Sequence, residues 1–244
     1  MRIPRFYQEI DVQVGQQQSL SAINHRHAIQ VLRFKEGDPL TLFDGKGGEY
    51  SAKLCVCNKR DSAASLESFT DVIRESPLKS SLILSTIKAD KMDFAIQKAV
   101  ELGITEIQPM ISHRSVIKIK ADRLQKKMQH WQAIIVGACE QSGRTQIPTL
   151  EEPLSLEACL QKHKNDFCIG MLPTSTDKFS DLRLENKESK VALFIGPEGG
   201  FTDEEEVMMQ TYKINTVNFG SRILRAETAV IAGLTACQQQ WGDL

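Results

Sequence analysis

No apolar run in this sequence of 244 residues approaches the roughly 20 residues needed to span a bilayer. The opening MRIPRFYQEI carries no apolar secretory core, so the expectation is a cytoplasmic protein with no membrane partner. An excess of either charge is missing too. The 30 Lys and Arg residues against 31 Asp and Glu leave a net charge of −1, which excludes a uniformly basic nucleic-acid binder. Cys55, Cys57, Cys139, Cys159, Cys168 and Cys237 do not form two CxxC pairs, which argues for reduced core thiols and against a zinc site. His25 and His27 make one isolated HxH, read as a surface or helix-start pair, so no metal is expected. Internal repeats and low-complexity tracts are also lacking. What remains is ordinary for a globular chain: 41% apolar and 25% charged residues, with length for one large or two small domains.

The charge that is present is unevenly placed. Between Ser112 and Trp131 lie Arg114, Lys118, Lys120, Arg123, Lys126 and Lys127 against a single acid, Asp122. A second basic and aromatic cluster opens the chain with Arg2, Arg5, Phe6 and Tyr7. Cations beside aromatic rings suit RNA, whose phosphates need neutralising and whose unpaired bases stack. A run of like charges is also the ordinary composition of a solvated helix face. Arg2, Arg5, Phe6, Arg114, Lys118 and Arg123 are the candidate RNA-binding residues.

Residues 1–75 read as β-rich. Residues 39–43 and 49–56 are strand-like and are joined through Asp44-Gly45-Lys46-Gly47-Gly48, a hairpin signal, and a short helix is expected over Arg26 to Arg33. The pattern suggests a small β-barrel, and Ser76 to Ser81 reads as a linker. From residue 76 to 244 strands and helices alternate, as in an α/β domain with a mostly parallel sheet. Strands are expected at 82–87, 104–110, 166–172, 191–195 and 216–219. Asp90 is placed to cap a helix buried through Met92, Ala95, Ile96, Ala99 and Val100 and ended by Gly103. A later helix buries Leu124, Met128, Trp131, Ile135 and Ala138 and delivers Glu140, Gln141, Ser142 and Arg144 at its far end.

The most informative stretch is Val191 to Gln240. An apolar strand leads into Gly196-Pro197-Glu198-Gly199-Gly200-Phe201, and Thr202 and Glu205 then have the spacing of a capping box. A phosphate loop would bring a lysine and free N–H groups to a positive helix end. Here Asp203, Glu204, Glu205 and Glu206 crowd the first turn instead, so the loop suits a ligand that is neutral or cationic where it meets the protein. An isolated GPEGG is equally well an ordinary tight turn. The second segment, Gly220 to Ala229, is a compact loop entering a helix with small residues at Ala226, Ala229, Gly233 and Cys237 and at Ala232 and Ala236.

IGPEGGFTDEE followed by NFGSRILRAETAVIAGL resembles the signature of the RsmE family, the 16S rRNA uridine-N3 methyltransferases of the SPOUT superfamily. KADKMDFAIQKAVELGITEIQPM, ACEQSGRTQIP and NHRHAIQVLRFKEGD extend the resemblance over nearly the whole chain; Ser221 stands where many members have proline. The resemblance implies a PUA-like RNA-binding module over 1–75 and a SPOUT methyltransferase domain over 76–244. It also implies a trefoil knot in the parallel sheet, S-adenosylmethionine as cofactor, 16S rRNA of the small ribosomal subunit as partner, and a homodimer formed through the knotted domain. Periodicity alone would give an unknotted, doubly wound sheet. The cofactor residues so implied are Leu172, Pro173, Gly196, Pro197, Gly199, Gly200, Phe219, Ser221, Ile223 and Leu224. Glu198 and Glu227 are placed near the sulfonium or the N3 proton, and Arg144, Arg222 and Arg225 near a phosphate or the negative uracil. A SPOUT enzyme acting on a tRNA ribose 2′-hydroxyl, and a non-catalytic RNA-binding assembly factor, are the alternatives.

Overall fold

The computed structural model describes residues 3–115, 121–186 and 188–244. They form two compact units. One contains residues 1–75 and 139–147, and the other contains 76–138 and 148–244, so a segment that the sequence reading placed in the second domain belongs with the first.

In the first unit, β1 (Arg5–Tyr7), β2 (Gln17–Ser19), β3 (Pro39–Phe43), β4 (Glu49–Cys57) and β5 (Ser62–Thr70) make one sheet in the order β1-β3-β4-β5-β2. β1 runs parallel to β3 and every other pair is antiparallel. Alternation along the strands aims Leu40, Leu42, Ala52, Leu54, Ala64 and Leu66 into a core that also holds Phe6 and Ala28. The expected helix starts earlier than Arg26. The Ser21 hydroxyl caps it by accepting the Asn24 N–H, so α1 covers Ala22–His25 and continues as a π-helical turn over Arg26–Val31. Leu32 is its C-cap, and Arg33 follows with a left-handed φ of 58°. Residues 139–147 join this unit through buried polar contacts. Arg144 donates from Nε to Glu75 at 2.6 Å, and Glu75 also accepts the N–H groups of Thr145 and Gln146, each at 3.0 Å.

The second unit is built on seven strands that all pair in parallel. They are β6 (Ser80–Ser85), β7 (Glu106–Ile111), β8 (Thr149–Leu150), β9 (Leu154–Ser155), β10 (Phe167–Met171), β11 (Val191–Ile195) and β12 (Asn215–Val217). Their order is β12-β10-β11-β6-β7-β8, with β9 also on β7. Every residue of β6 and β11 is buried, as in strands covered on both faces; β11 is apolar throughout, while β6 buries three serines beside Leu82, Ile83 and Leu84. The helices are α2 (Ala89–Glu101), α3 (Ala121–Ser142), α4 (Leu156–Lys162), α5 (Asp203–Thr211) and α6 (Ala226–Trp241). The N-cap of α2 is Lys88, not Asp90, which stands inside the first turn. Met92, Ala95, Ile96, Ala99 and Val100 are its buried face, as their spacing predicts, and Gly103 follows the helix end at φ +82°. The small-residue face of α6 packs inward. A Cβ at Gly233 would lie 2.7 Å from Met171 Sδ, and Ala229 and Cys237 are buried, so this face is internal packing.

Candidate functional site

The carboxyl ends of β10, β11 and β12 open together onto a cleft of about 630 Å³, the usual place for a ligand in a parallel α/β sheet. Three loops line it, and those after β10 and β12 are tied to each other. The Leu172 N–H donates to the Val217 carbonyl at 2.9 Å, and the Asn218 side-chain amide donates to the Pro173 carbonyl at 3.0 Å. Within the glycine loop, the Gly200 N–H closes a turn on the Pro197 carbonyl at 2.9 Å. Only Gly200 of the loop has a left-handed φ, at +70°, which explains glycine there; Gly199 has none. Gly196 is required for a different reason, since a Cβ there would press on the Phe201 ring at 3.0 Å.

The capping box forms as its spacing predicts. Thr202 accepts the Glu205 N–H, while Glu205 accepts the Thr202 N–H at 2.9 Å. The other oxygen of Glu205, a residue 8% exposed, accepts the His113 N–H at 2.8 Å. The turn after β7 is thereby fixed to the start of α5. Of the four first-turn carboxylates, Glu206 alone lines the cleft, where it accepts the Thr174 hydroxyl at 3.1 Å. Arg114, in the same turn as His113, lines the cleft and donates from Nη1 to the carbonyls of Gly199 and Phe201, each at 3.0 Å.

Charged groups of both signs surround the opening. Glu198 is exposed on the lip and accepts the Lys88 N–H at 3.1 Å, which places a carboxylate at the N-terminus of α2. Glu227 is 7% exposed and pairs with Lys91 Nζ at 3.3 Å. Arg222 and Arg225 are exposed and line the cleft with them. Phe219 lines it too and is held edge-on to Phe179 at 5.6 Å.

Most residues expected from the sequence converge here: Leu172, Pro173, Gly196, Pro197, Glu198, Gly199, Gly200, Phe219, Arg222, Ile223, Leu224, Arg225 and Glu227. Ser221 is exposed in its loop and does not line the cleft. Arg144 belongs to the first unit, 5% exposed and paired with Glu75. Its neighbour Glu140 accepts the Tyr7 N–H at 2.9 Å, and burial pushes its carboxyl above the ordinary range. Two of the RNA-binding assignments need correction. Phe6 is wholly buried in the core, with no face left for a base. The Arg5 side chain is 8% exposed, ion-paired to Glu49 and donating to the Arg144 carbonyl at 2.9 Å. Arg2 and Lys118 lie outside the described residues. Arg123 is exposed on α3. The sequence reading missed Lys88, Lys91, Thr174, Glu206 and Asn218 as lining residues. For Lys88, Thr174 and Asn218 the signal was position, just past a strand's carboxyl end, whereas Lys91 and Glu206 stand in the first turns of the helices that follow.

Among the described residues no group of three His, Cys, Asp or Glu could hold a metal ion, and no helix is long and apolar enough to cross a membrane. All six cysteines are free, and burial pushes the Cys139, Cys159, Cys168 and Cys237 thiols up to about 12.

The family described as "RNA methyltransferase domain" matches residues 74–238, and "RNA methyltransferase PUA domain" matches residues 25–60. The chain is 35% identical over 100% of its length to ribosomal RNA small subunit methyltransferase E of Buchnera aphidicola subsp. Schizaphis graminum, covering 98% of that protein. A putative methyltransferase from Legionella pneumophila, solved with the bound cofactor SAM, is 38% identical and superposes over 100% of both chains with a TM-score of 0.96. The ribosomal RNA small subunit methyltransferase E from Neisseria gonorrhoeae, bound to S-adenosyl methionine, is 37% identical over 100% of both chains with a TM-score of 0.92. With its parallel sheet, its glycine-loop cleft and these full-length matches, the chain belongs to the ribosomal RNA small subunit methyltransferase E family.

Proposed function

We propose that this chain transfers a methyl group from S-adenosylmethionine to N3 of one uridine in the 16S RNA of the small ribosomal subunit. The observation that carries this reading is the cleft at the ends of β10, β11 and β12. Its size suits a nucleoside-sized ligand, and its walls combine apolar side chains, such as Leu172, Phe201 and Leu224, with main-chain groups of three loops. The capped start of α5, with four carboxylates in its first turn, disfavours a phosphate, in keeping with a ligand that has none. Leu172, Pro173, Gly196, Pro197, Gly199, Gly200, Phe219, Ile223 and Leu224 would hold the cofactor.

S-adenosylmethionine, when bound, supplies an electrophilic methyl carbon on a sulfonium. The chain's own part is alignment and exclusion of water. Glu227, deep and paired with Lys91, sets negative charge against the cation. Glu198, on the exposed lip, is the carboxylate a bound uracil would meet, and it takes the N3 proton. Arginine stays protonated and cannot do so. Arg222 and Arg225 flank the opening and steady the charge that builds on the ring.

The finer architecture belongs to the same proposal. β11 enters the sheet between β6 and β10, and the two loops after β11 and β12 share one cleft, an arrangement that supports a knotted C-terminal chain. The first unit's sheet, with the PUA match, supports a small barrel that contacts RNA. The half-buried outer face of α6, with Ala232 and Ala236, supports a homodimer through the second unit. A ribosomal RNA substrate supports a cytoplasmic location.

The test is incubation with labelled cofactor and small ribosomal subunits from a strain lacking the enzyme, followed by mass spectrometry of the nucleosides. Label in 3-methyluridine is expected. Label on a ribose 2′-oxygen, or none in RNA, would overturn the assignment.

A further inference from the structure

A second cleft, of about 520 Å³, lies between α2 and α3, lined by Ala89 and Asp93 on one side and by Arg123, Lys126, Lys127 and His130 on the other. The four α3 residues are spaced i, i+3, i+4 and i+7, so one stripe of the helix delivers all of them. Asp93, the one acid lining the cleft, is held by His130 at 2.8 Å. Lys127 lies with its ammonium 5.4 Å from the Trp131 ring, which restrains its stem. Among the described residues neither Arg123 nor Lys126 has an ion-pair partner within 4.0 Å. The cleft is thus a cationic groove with aliphatic walls, in a chain whose net charge is only −1.

Its position gives the groove a role. The first two turns of α2 form the ridge between the two clefts, with Lys88 and Lys91 facing the glycine-loop site and Ala89 and Asp93 facing the groove. We propose that this groove carries the sugar-phosphate backbone of a single-stranded RNA segment whose neighbouring base enters the glycine-loop cleft. The inference rests on the proposed RNA substrate. Phosphates meet Arg123, Lys126 and Lys127, and the aliphatic stems give the riboses an apolar surface. An acidic protein surface is the competing occupant that the test must separate.

The experiment compares full-length wild type with the variant Arg123→Gln/Lys126→Gln/Lys127→Gln. Binding of a fluorescent single-stranded RNA is followed by anisotropy across a salt series. The expected result is at least about tenfold weaker RNA binding, with the slope of log affinity against log salt falling by roughly two, at about 0.7 per lost single-strand phosphate contact. Cofactor affinity, which also reports folding, stays unchanged. The KM for small subunits rises while kcat holds. RNA affinity and salt slope equal to wild type would overturn the proposal. So would a loss of affinity for subunits with free RNA bound as before, which would mark a protein partner. If wild type binds RNA in the groove but methylates no uridine, the enzymatic reading fails and the groove stands.

Discussion

Arg114 Nη1 donates to the carbonyl oxygen of Gly199 at 3.0 Å, and its side chain lies so close that a Cβ on Gly199 would sit 3.4 Å from Arg114 Cβ and Cδ. A cation that composition alone assigns to RNA is committed to the cofactor loop. The same Nη1 reaches the Phe201 carbonyl, so both ends of the Gly199–Phe201 turn are fixed by one guanidinium. The Arg114 turn is itself anchored, with the Ser112 N–H on the Ser115 hydroxyl at 3.0 Å and the His113 N–H on Glu205.

Arg114→Ala should therefore loosen the loop. We expect about tenfold weaker S-adenosylmethionine binding, near 1.4 kcal/mol, the low end for charge-assisted bonds to a partly exposed group. Arg114→Lys should recover little, because one ammonium does not reproduce the fork. Calorimetry measures the affinity, and the salt slope of RNA binding should not move. A changed slope with unchanged cofactor affinity would return Arg114 to the RNA-contacting residues.

Arg144 and Glu75 make a prediction of the opposite kind. Both side chains are less than 10% exposed, at 6% and 9%, and Glu75 also satisfies two main-chain N–H groups. Glu75→Ala would remove the carboxylate that a buried guanidinium and the N–H groups of Thr145 and Gln146 all meet, so a loss of about 3 kcal/mol or more of stability is expected. Arg144→Ala should likewise lower the melting temperature while leaving cofactor affinity intact. Denaturation and cofactor titration of the two variants check this. A stable Arg144→Ala protein without activity would mark Arg144 as part of the reaction instead.

The second unit was the more legible in the sequence. β11, α5 with its capping box and the buried face of α2 follow from local signals that tertiary packing reinforces. The first unit was less so. β1, β2 and β5 were not individually expected, since three-residue strands carry too little alternation to register and Ser62–Thr70 is rich in serine and alanine. The site's loops were found because glycine, proline and strand ends mark themselves. Which charges enter the cleft was not legible, because Glu205 and Glu206 are sequence neighbours with opposite roles. Phe6 was misread for a related reason: an aromatic residue beside two arginines has the same composition whether it points to solvent or to a core. The shared unit of residues 139–147 and 1–75 depends on the buried Glu75–Arg144 pair, which no spacing announces.

Acid should weaken the second unit through Glu106. Burial pushes its carboxyl up, but hydrogen bonds and charge from Lys190, at 2.6 Å, and Lys162, at 3.1 Å, outweigh that and hold it below its ordinary value of 4.5. A carboxyl depressed in the folded state adds stability above its unfolded value, and that stability is lost as pH falls through the folded value. Unfolding free energy should fall as pH drops below about 4.5, and Glu106→Gln should flatten this dependence while lowering stability at pH 7. Urea titrations from pH 3 to 7 provide the check; an unchanged slope in the variant would assign the acid sensitivity elsewhere, for instance to Glu49, whose carboxyl is also depressed.

Ligand choice follows from the start of α5. The capping box takes the Thr202 and Glu205 N–H groups, four carboxylates crowd the first turn, and Glu206 turns one of them into the cleft. A triphosphate would have to displace the Glu205 cap and approach Glu206. Of the cations that line the cleft, Lys91 is paired with Glu227 and Arg114 is spent on carbonyls, while Lys88, Arg222 and Arg225 are exposed to solvent, where their charge is screened. S-adenosylmethionine and its neutral-sulfur product, S-adenosylhomocysteine, should therefore bind, while ATP binds at least roughly a hundredfold more weakly, about 2.7 kcal/mol. Gly199 tests the same surface from the other side. Its backbone is not left-handed, so Gly199→Ala adds a methyl at ordinary contact with the Arg114 stem and should bind nearly as wild type. Gly199→Val adds two further methyls that must displace Arg114 or fill the cleft, and it should abolish binding. Gly200→Ala, with open space but φ at +70°, should instead cost about 1 kcal/mol of stability through strain. Isothermal titration of the three ligands against these variants decides the matter. ATP binding as tightly as S-adenosylmethionine, or a folded Gly199→Val protein with unchanged affinity, would show that the glycine loop is not the cofactor's cradle.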